Sequence, residues 1–172
     1  MRLSVKETVV FSMLGAVMYA SKIIMEALPN VHLLGCFIIV FTVVYGKKAL
    51  YPIYIFVLLT GLLSGFATWW LPYLYIWLPL WGAVMLLHGK IPPKARPIIY
   101  MSLCAAHGFL YGTLYAPVQA LVFGMSFKGM LAWIAAGLPW DFLHGVSNFF
   151  CGILVCPMAA LLKRAEKYTS HE

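Results

Sequence analysis

Between residues 7 and 162 the chain is a series of apolar runs, each close to the length that crosses a bilayer and each ended by a short turn. The turns are Pro29-Asn30, Gly46-Lys47-Lys48, an aromatic stretch at 69–75, and Gly89-Lys90-Ile91-Pro92-Pro93-Lys94-Ala95-Arg96-Pro97. A spanning helix needs about 20 apolar residues, and one soluble core cannot absorb so many runs. With 63% of residues hydrophobic and 10% charged, nothing is left over for a separate soluble domain. We therefore expect an all-α integral membrane protein, one domain over 1–172. Its six transmembrane helices are expected in one bundle, at about 7–28, 31–45, 49–67, 74–88, 98–123 and 139–162. Pro139 is placed as a first helical residue, a position proline favours. The segment 126–136 then reads as a short interfacial helix or lid. Lys22 and Glu26 interrupt the first run, which is not expected to be a signal peptide.

A net charge of +7 would suggest a nucleic-acid surface in a soluble protein. Here charge reads as topology, and no nucleic-acid partner is expected. Six helices bring both termini to one side. Arg2, Lys6, Lys47, Lys48, Lys90, Lys94, Arg96, Lys163, Arg164 and Lys167 fall on that side, against Lys22 and Lys128 on the other. Lys and Arg concentrate in cytoplasmic loops, so both termini are expected in the cytoplasm. The opposite side collects Trp69, Trp70, Tyr73, Tyr75, Trp133 and Trp140. The four cysteines show no CxxC spacing and read as small buried residues.

The anomaly lies in the last run, 137–164. Asp141, His144 and Asn148 fall within an arc of roughly 60° on a helix, so they share a face. An ionisable group in a bilayer is costly and marks a functional site by default. With the helix starting at Pro139, Asp141 is expected near the outer interface, His144 a turn lower and Asn148 near mid-membrane. That face reads as the wall of a pocket open to the outside. His107 and Tyr111, four apart on the preceding helix, are its expected neighbours. Structural alternatives stand beside each. Asp141 suits the positive end of its own helix dipole. Asn148 suits a hydrogen bond between helices, and His107 a satisfied core position.

The stretch 69–77, Trp-Trp-Leu-Pro-Tyr-Leu-Tyr-Ile-Trp, is either an interfacial belt or a loop that stacks over a flat ring. On the second reading Trp69, Trp70 and Tyr73 join the ligand-binding set, with Trp140 beside Asp141 and Asn30 in the first turn. Lys22 and Glu26 either pair with each other or face a polar ligand. Small residues four apart at Ser12, Ala16 and Ala20, at Gly61 and Gly65, and at Gly108 and Gly112 suit packing inside the bundle or docking to another membrane subunit.

Catalysis is the rival. His144-Gly-Val-Ser-Asn148 has the His-x-x-x-Asn pattern with which rhomboid-type intramembrane proteases hold an oxyanion. The matching serine turn is missing, since Leu63-Ser64-Gly65 does not supply it, and no later histidine follows as base. The histidines lack metal-ligand spacing, and no Walker A glycine loop occurs. No catalytic residue, metal or cofactor is therefore expected, and the chain is not expected to be an enzyme. An ATP-driven step would belong to another polypeptide.

The chain resembles the substrate-binding S components of energy-coupling factor (ECF) vitamin transporters. The resemblance rests on size and helix number, on Ala16-x-x-x-Ala20, on the turn Leu28-Pro29-Asn30-Val31, and on Gly-Leu-Pro-Trp-Asp-Phe-Leu-His-Gly-Val-Ser-Asn-Phe at 137–149. It implies a protein of the prokaryotic plasma membrane that binds a vitamin or similar small molecule from outside. Delivery would use a coupling membrane subunit and two ATPase subunits. It also implies that Ala16 and Ala20 face the coupling subunit. The Met-Arg-Leu start departs from the Met-His start of the nickel and cobalt members, and the pocket residues match no riboflavin, thiamine or biotin pattern. The aromatic loop suggests a flat heteroaromatic ligand. A structural membrane protein of the MreD-like type has similar size and helix count, and needs no such pocket.

Overall fold

The chain enters its first helix through a capping box. Ser4 Oγ accepts the Glu7 N–H at 3.1 Å, and the Glu7 carboxylate accepts the Ser4 N–H at 3.0 Å, so orphan donors of the first turn are satisfied. The computed structural model describes residues 3–169, and Arg2 of the charge count lies outside them. Among the described residues every regular element is helical. In order they are α1 (Val5–Met25), α2 (Leu34–Tyr45), α3 (Leu50–Ser64), α4 (Leu78–Leu87), α5 (Arg96–Phe109), α6 (Tyr111–Val122), α7 (Phe127–Cys151) and α8 (Val155–Thr169). Among the described residues five helical stretches are long and apolar enough to cross a membrane: Val5–Met25, Leu34–Ser64, Thr68–Leu87, Pro93–Val122 and Phe127–Lys167.

The interior helix is α2, although α3 and α4 are also apolar on every side. Its residues from Leu34 to Thr42 are all buried, and it touches α1, α3, α4, α5, α7 and α8. Thr42 and Thr60 are buried polar exceptions. Each returns its hydroxyl to the carbonyl four residues back, Ile38 and Phe56, at 2.6 and 2.8 Å, so neither leaves a donor orphaned in an apolar medium.

The residues expected as second and third spans lie in one 31-residue helical stretch, which turns back at Gly46. There φ is +58° and ψ −124°, a conformation that glycine adopts without the Cβ penalty. The Phe11 ring touches Tyr45 before the turn and Tyr51 after it, at 5.0 and 5.9 Å. Glu7 pairs with Lys48, and Tyr19 meets Ser64 Oγ at 3.3 Å, so α3 runs parallel to α1. Tyr45 donates to Glu166 at 2.7 Å, which brings the end of α8 to the same end of the bundle.

Three of the expected helices are corrected. The predicted helix at 98–123 is two helices, broken at Leu110 (φ −96°, ψ 0°). The predicted start at Pro139 is displaced to Phe127, behind the N-cap Ser126, whose Oγ accepts the Gly129 N–H at 3.2 Å. The segment 126–136 is thus the opening of α7, not a lid, and Pro139 sits inside the helix. Continuing the helix keeps backbone groups paired within the segment, which an apolar medium demands. The same run breaks again at the 3-10 turn Gly152–Leu154 before α8. Finally, the predicted helix at 74–88 starts later, at Leu78, after a 3-10 stretch Thr68–Leu74.

The glycines explain the closest approach in the bundle. α5 and α7 meet backbone to backbone: a Cβ on Gly108 would lie 2.7 Å from Gly145 Cα and 2.8 Å from the His144 carbonyl oxygen. This is close packing of the kind small residues permit in lipid. Ser12, Ala16 and Ala20 do not pack internally and are exposed, whereas Gly15 takes the contact with Ile55 of α3.

Candidate functional site

The break at Leu110 is held open by Asp141. Asp141 Oδ1 accepts the Gly112 N–H at 3.0 Å, so a carboxylate from α7 caps the N-terminal turn of α6 and sits at its positive end. A Cβ on Gly112 would lie 2.5 Å from the Asp141 carboxylate, so a larger residue there would push the carboxylate off the cap. The helix dipole that Asp141 serves is therefore not its own. Asp141→Ala is expected to lose about 1–2 kcal/mol of stability, as deletion of a helix cap does, whereas Asp141→Asn keeps an acceptor and loses less. Thermal melts of the two purified variants check this order.

One turn along α7, His144 faces a different neighbourhood. Its ring lies 4.7 Å from Tyr111 and 4.4 Å, edge-on, from His32. These three, with Tyr73, form the inner wall of a pocket of about 280 Å³. Lys22, Glu26 and the 28–31 turn form its outer rim, and Lys22 and Glu26 are paired at 2.6 Å. Ser147 holds that turn in place: its hydroxyl lies 2.7 Å from the Asn30 carbonyl and 2.9 Å from the His144 carbonyl, a donor shared between turn and helix. Asn30 has φ +57°, a conformation asparagine tolerates better than most residues.

Below the pocket lies a second tier. Trp77 is edge-on to Tyr73 at 5.2 Å and lies 5.8 Å from His107 and 6.3 Å from Tyr111. His107 Nε2 lies 2.9 Å from the Ile76 carbonyl. A carbonyl only accepts, so Nε2 carries the proton and Nδ1 is left as an acceptor. Asn148, a turn beyond His144, is 1% exposed and lies beside Gly35. Among the described residues neither amide atom of Asn148 has a hydrogen-bond partner, nor do Trp77 Nε1, His107 Nδ1, His144 Nε2 and His32 Nδ1. Buried polar atoms are normally satisfied, and unpaired ones grouped around a pocket mark where a ligand or water is held.

The structure thus brings together His144, Tyr111, Tyr73 and Asn30 at the pocket, with His107 and Asn148 beneath them. Asp141 shares their helix face and caps α6. Trp69 and Trp70 stand behind the wall. The Trp69 carbonyl accepts the Tyr115 hydroxyl at 2.5 Å and its ring meets Tyr73 edge-on at 5.7 Å. Trp70 Nε1 donates to the Val57 carbonyl at 2.8 Å. Trp140 is 62% exposed and does not line the pocket. The sequence reading missed His32 and Trp77. His32 falls inside the expected span 31–45, just after the Pro29-Asn30 turn and before α2 begins at Leu34, and a polar ring in an apolar run was its signal; Trp77 was hidden among its aromatic neighbours. Among the described residues no three His, Cys, Asp or Glu converge as a metal site.

Burial, with the nearby His107 as the second cause, holds the His32 imidazole down at about 4. An unfolded histidine, near 6.5, takes up a proton in a range where folded His32 does not. The unfolded state then binds more protons between those two values, so stability falls as pH drops from about 6.5 toward 4. Above that window His32 contributes no slope. Thermal melts at pH 7.5 and pH 5 check this, and His32→Gln is expected to reduce the difference by the share that His32 supplies.

No family model, no curated protein and no solved structure matches the chain.

Proposed function

We propose that this chain is the membrane-embedded substrate-binding subunit of an importer, of the kind the ECF S components represent. It captures a small, flat heteroaromatic molecule, a vitamin or a similar compound, from outside a prokaryotic plasma membrane. A coupling membrane subunit and two ATPase subunits supply the energy. In this reading the chain crosses the membrane six times with both termini in the cytoplasm.

The observation that carries the proposal is the pocket itself. Imidazole and phenol rings from three separate parts of the chain, His32, Tyr111 and His144, converge at one end of an otherwise apolar bundle. That is the pattern of a small-molecule site, with mostly apolar walls and a few placed polar groups. It is also the end away from the basic turns, since Lys48 and Glu166 lie with the start of α1. The return of the chain at Gly46 supports six passes. A structural protein of the MreD-like type has no use for such a pocket.

The polar atoms beneath the pocket favour a neutral ligand. Trp77 offers an N–H donor, His107 Nδ1 an acceptor, and Asn148 one of each. A heterocycle with an N–H donor beside an acceptor atom meets an asparagine amide with two bonds, as adenine does with N6–H and N7. Asp141 does not line the pocket and uses Oδ1 on Gly112, leaving Oδ2 without a partner among the described residues, and Glu26 on the rim is paired with Lys22, so no unpaired carboxylate lines the pocket to meet a cationic ring.

The exposed face of α1 supports the partner. Val9, Met13, Val17 and Ile24 are exposed there along with Ala16 and Ala20. Ala16→Trp with Ala20→Trp is expected to leave ligand retention unchanged, measured by native mass spectrometry of protein extracted in mild detergent. Uptake in cells carrying the partner subunits is expected to fall by about tenfold or more, since bulky rings prevent close helix approach. Full uptake by the double variant would sink the docking role. A wild-type protein that never carries a small molecule would sink the binding role.

A further inference from the structure

A second cavity, of about 470 Å³, lies at the basic end of the bundle, between the 88–97 connection, the first turn of α5 and α8. His88, Arg96 and Lys163 line it, and among the described residues no acidic side chain does. Arg96 uses Nε on the Ile91 carbonyl at 3.4 Å. Among the described residues no carboxylate pairs with Arg96 or Lys163. Glu166, one turn beyond Lys163, accepts from Tyr45.

Two further features point to an anion. α5 begins at Arg96 with no side-chain cap, and Arg96, Pro97 and Tyr100 of its first turns line the cavity. Its positive dipole end therefore adds to the two cations. The rest of the lining has an apolar side: Val43, Ile91, Ala159 and Ala160. The surroundings are those of a lipid boundary. Leu86, Ile98 and Leu161, each within two residues of a lining position, are exposed apolar side chains. The cavity thus sits where a lipid-facing surface ends and a basic rim begins.

We propose that this cavity binds the phosphodiester headgroup of an anionic phospholipid. The phosphate oxygens meet Arg96, Lys163 and the start of α5, and the glycerol and first acyl carbons lie along Val43, Ile91 and Ala160. A free phosphate would meet the same cations but would leave the apolar wall unused. Basic pockets between helices on the cytoplasmic side are suited to such headgroups. The site is separate from the His144 pocket and does not depend on what that pocket carries.

The test is native mass spectrometry of the whole protein in a neutral detergent, with phosphatidylglycerol and phosphatidylcholine added in equal amounts. Wild type is expected to retain phosphatidylglycerol about tenfold over phosphatidylcholine, from two cations at the headgroup. Arg96→Gln with Lys163→Gln is expected to bring the ratio near unity. Lys90→Gln with Lys94→Gln removes the same charge from the same connection outside the cavity, and is expected to keep the preference. Should the first double variant not fold, Lys163→Gln alone, on exposed α8, is expected to lower the ratio severalfold. Equal retention of the two lipids by wild type would overturn the proposal, as would equal loss in both double variants. A third arm adds inorganic phosphate at millimolar concentration. No displacement supports the lipid; full displacement of phosphatidylglycerol assigns the site to free phosphate and overturns the lipid assignment.

Discussion

His144→Ala is expected to weaken retention of the co-purifying small molecule by about ten- to a hundredfold, the loss of one buried hydrogen bond and one ring contact. The expectation follows from position. His144 is 4% exposed, lies 4.7 Å from Tyr111 and 4.4 Å from His32, and leaves Nε2 without a partner among the described residues. Its removal takes a polar atom and a ring from the pocket wall while the Ser147 pin, which uses the His144 backbone carbonyl, survives. The fold should therefore persist, with an unchanged elution profile in size-exclusion chromatography. Tyr111→Ala removes the ring on the other side and is expected to have a similar effect. Trp140→Ala, on the exposed side of the same helix, is expected to bind as wild type does. Native mass spectrometry of the purified variants reads all three. Normal retention by His144→Ala and Tyr111→Ala together would place the site elsewhere.

The second large effect is on folding. Gly108→Leu is expected to destabilise the bundle by about 3 kcal/mol or more, because a backbone-to-backbone contact cannot relax as a flexible side chain can. At Gly108 even the first added carbon meets Gly145 Cα and the His144 carbonyl oxygen below 3 Å. Separating α5 from α7 also draws His107 and Tyr111 away from His144, so binding should fail with the fold. Yield of monodisperse protein and melting temperature report the loss. Gly137→Ala is the contrast. That glycine lies in α7 with nothing within 4 Å of an added Cβ. Alanine there is expected to be neutral or slightly stabilising, as helix propensity predicts. A stable, ligand-retaining Gly108→Leu protein would mean that α5 and α7 do not meet as described.

The two effects show how differently local and distant information enter this protein. Gly108 and Gly112 are recognisable in the sequence as a small-residue pair, and Asp141, His144 and Asn148 as a shared face. Their division of labour is not. Gly108 receives α7, while Gly112 receives a carboxylate. The three polar residues, though on one face, meet three different surroundings: the start of α6, the pocket, and the core beside Gly35. A face of a helix is a local property, set by 100° per residue. What that face meets is set by elements far along the chain.

The helix boundaries divide in the same way. Turns made by glycine, proline and charge, at Pro29-Asn30, Gly46-Lys47-Lys48 and 89–97, are legible because their residues carry the conformation. The start of α7 was misplaced, although Ser126 was present as a cap, because proline signals a helix start in water. In an apolar medium an interior proline costs less than an exposed backbone. The break at Leu110 has no glycine or proline of its own, and only the carboxylate of Asp141 from another helix accounts for it.

From the sequence alone come the apolar helical class, the position of most turns and the choice of His144 and Tyr111 as partners. These follow from hydropathy and periodicity, which act residue by residue. Tertiary structure alone decided that α2 lies at the centre, that His32 completes the ring cluster, and that Asp141 caps α6. Each of those depends on which distant surface arrives at a side chain. In an apolar medium many faces are equally acceptable to the local chain, so packing makes the choice.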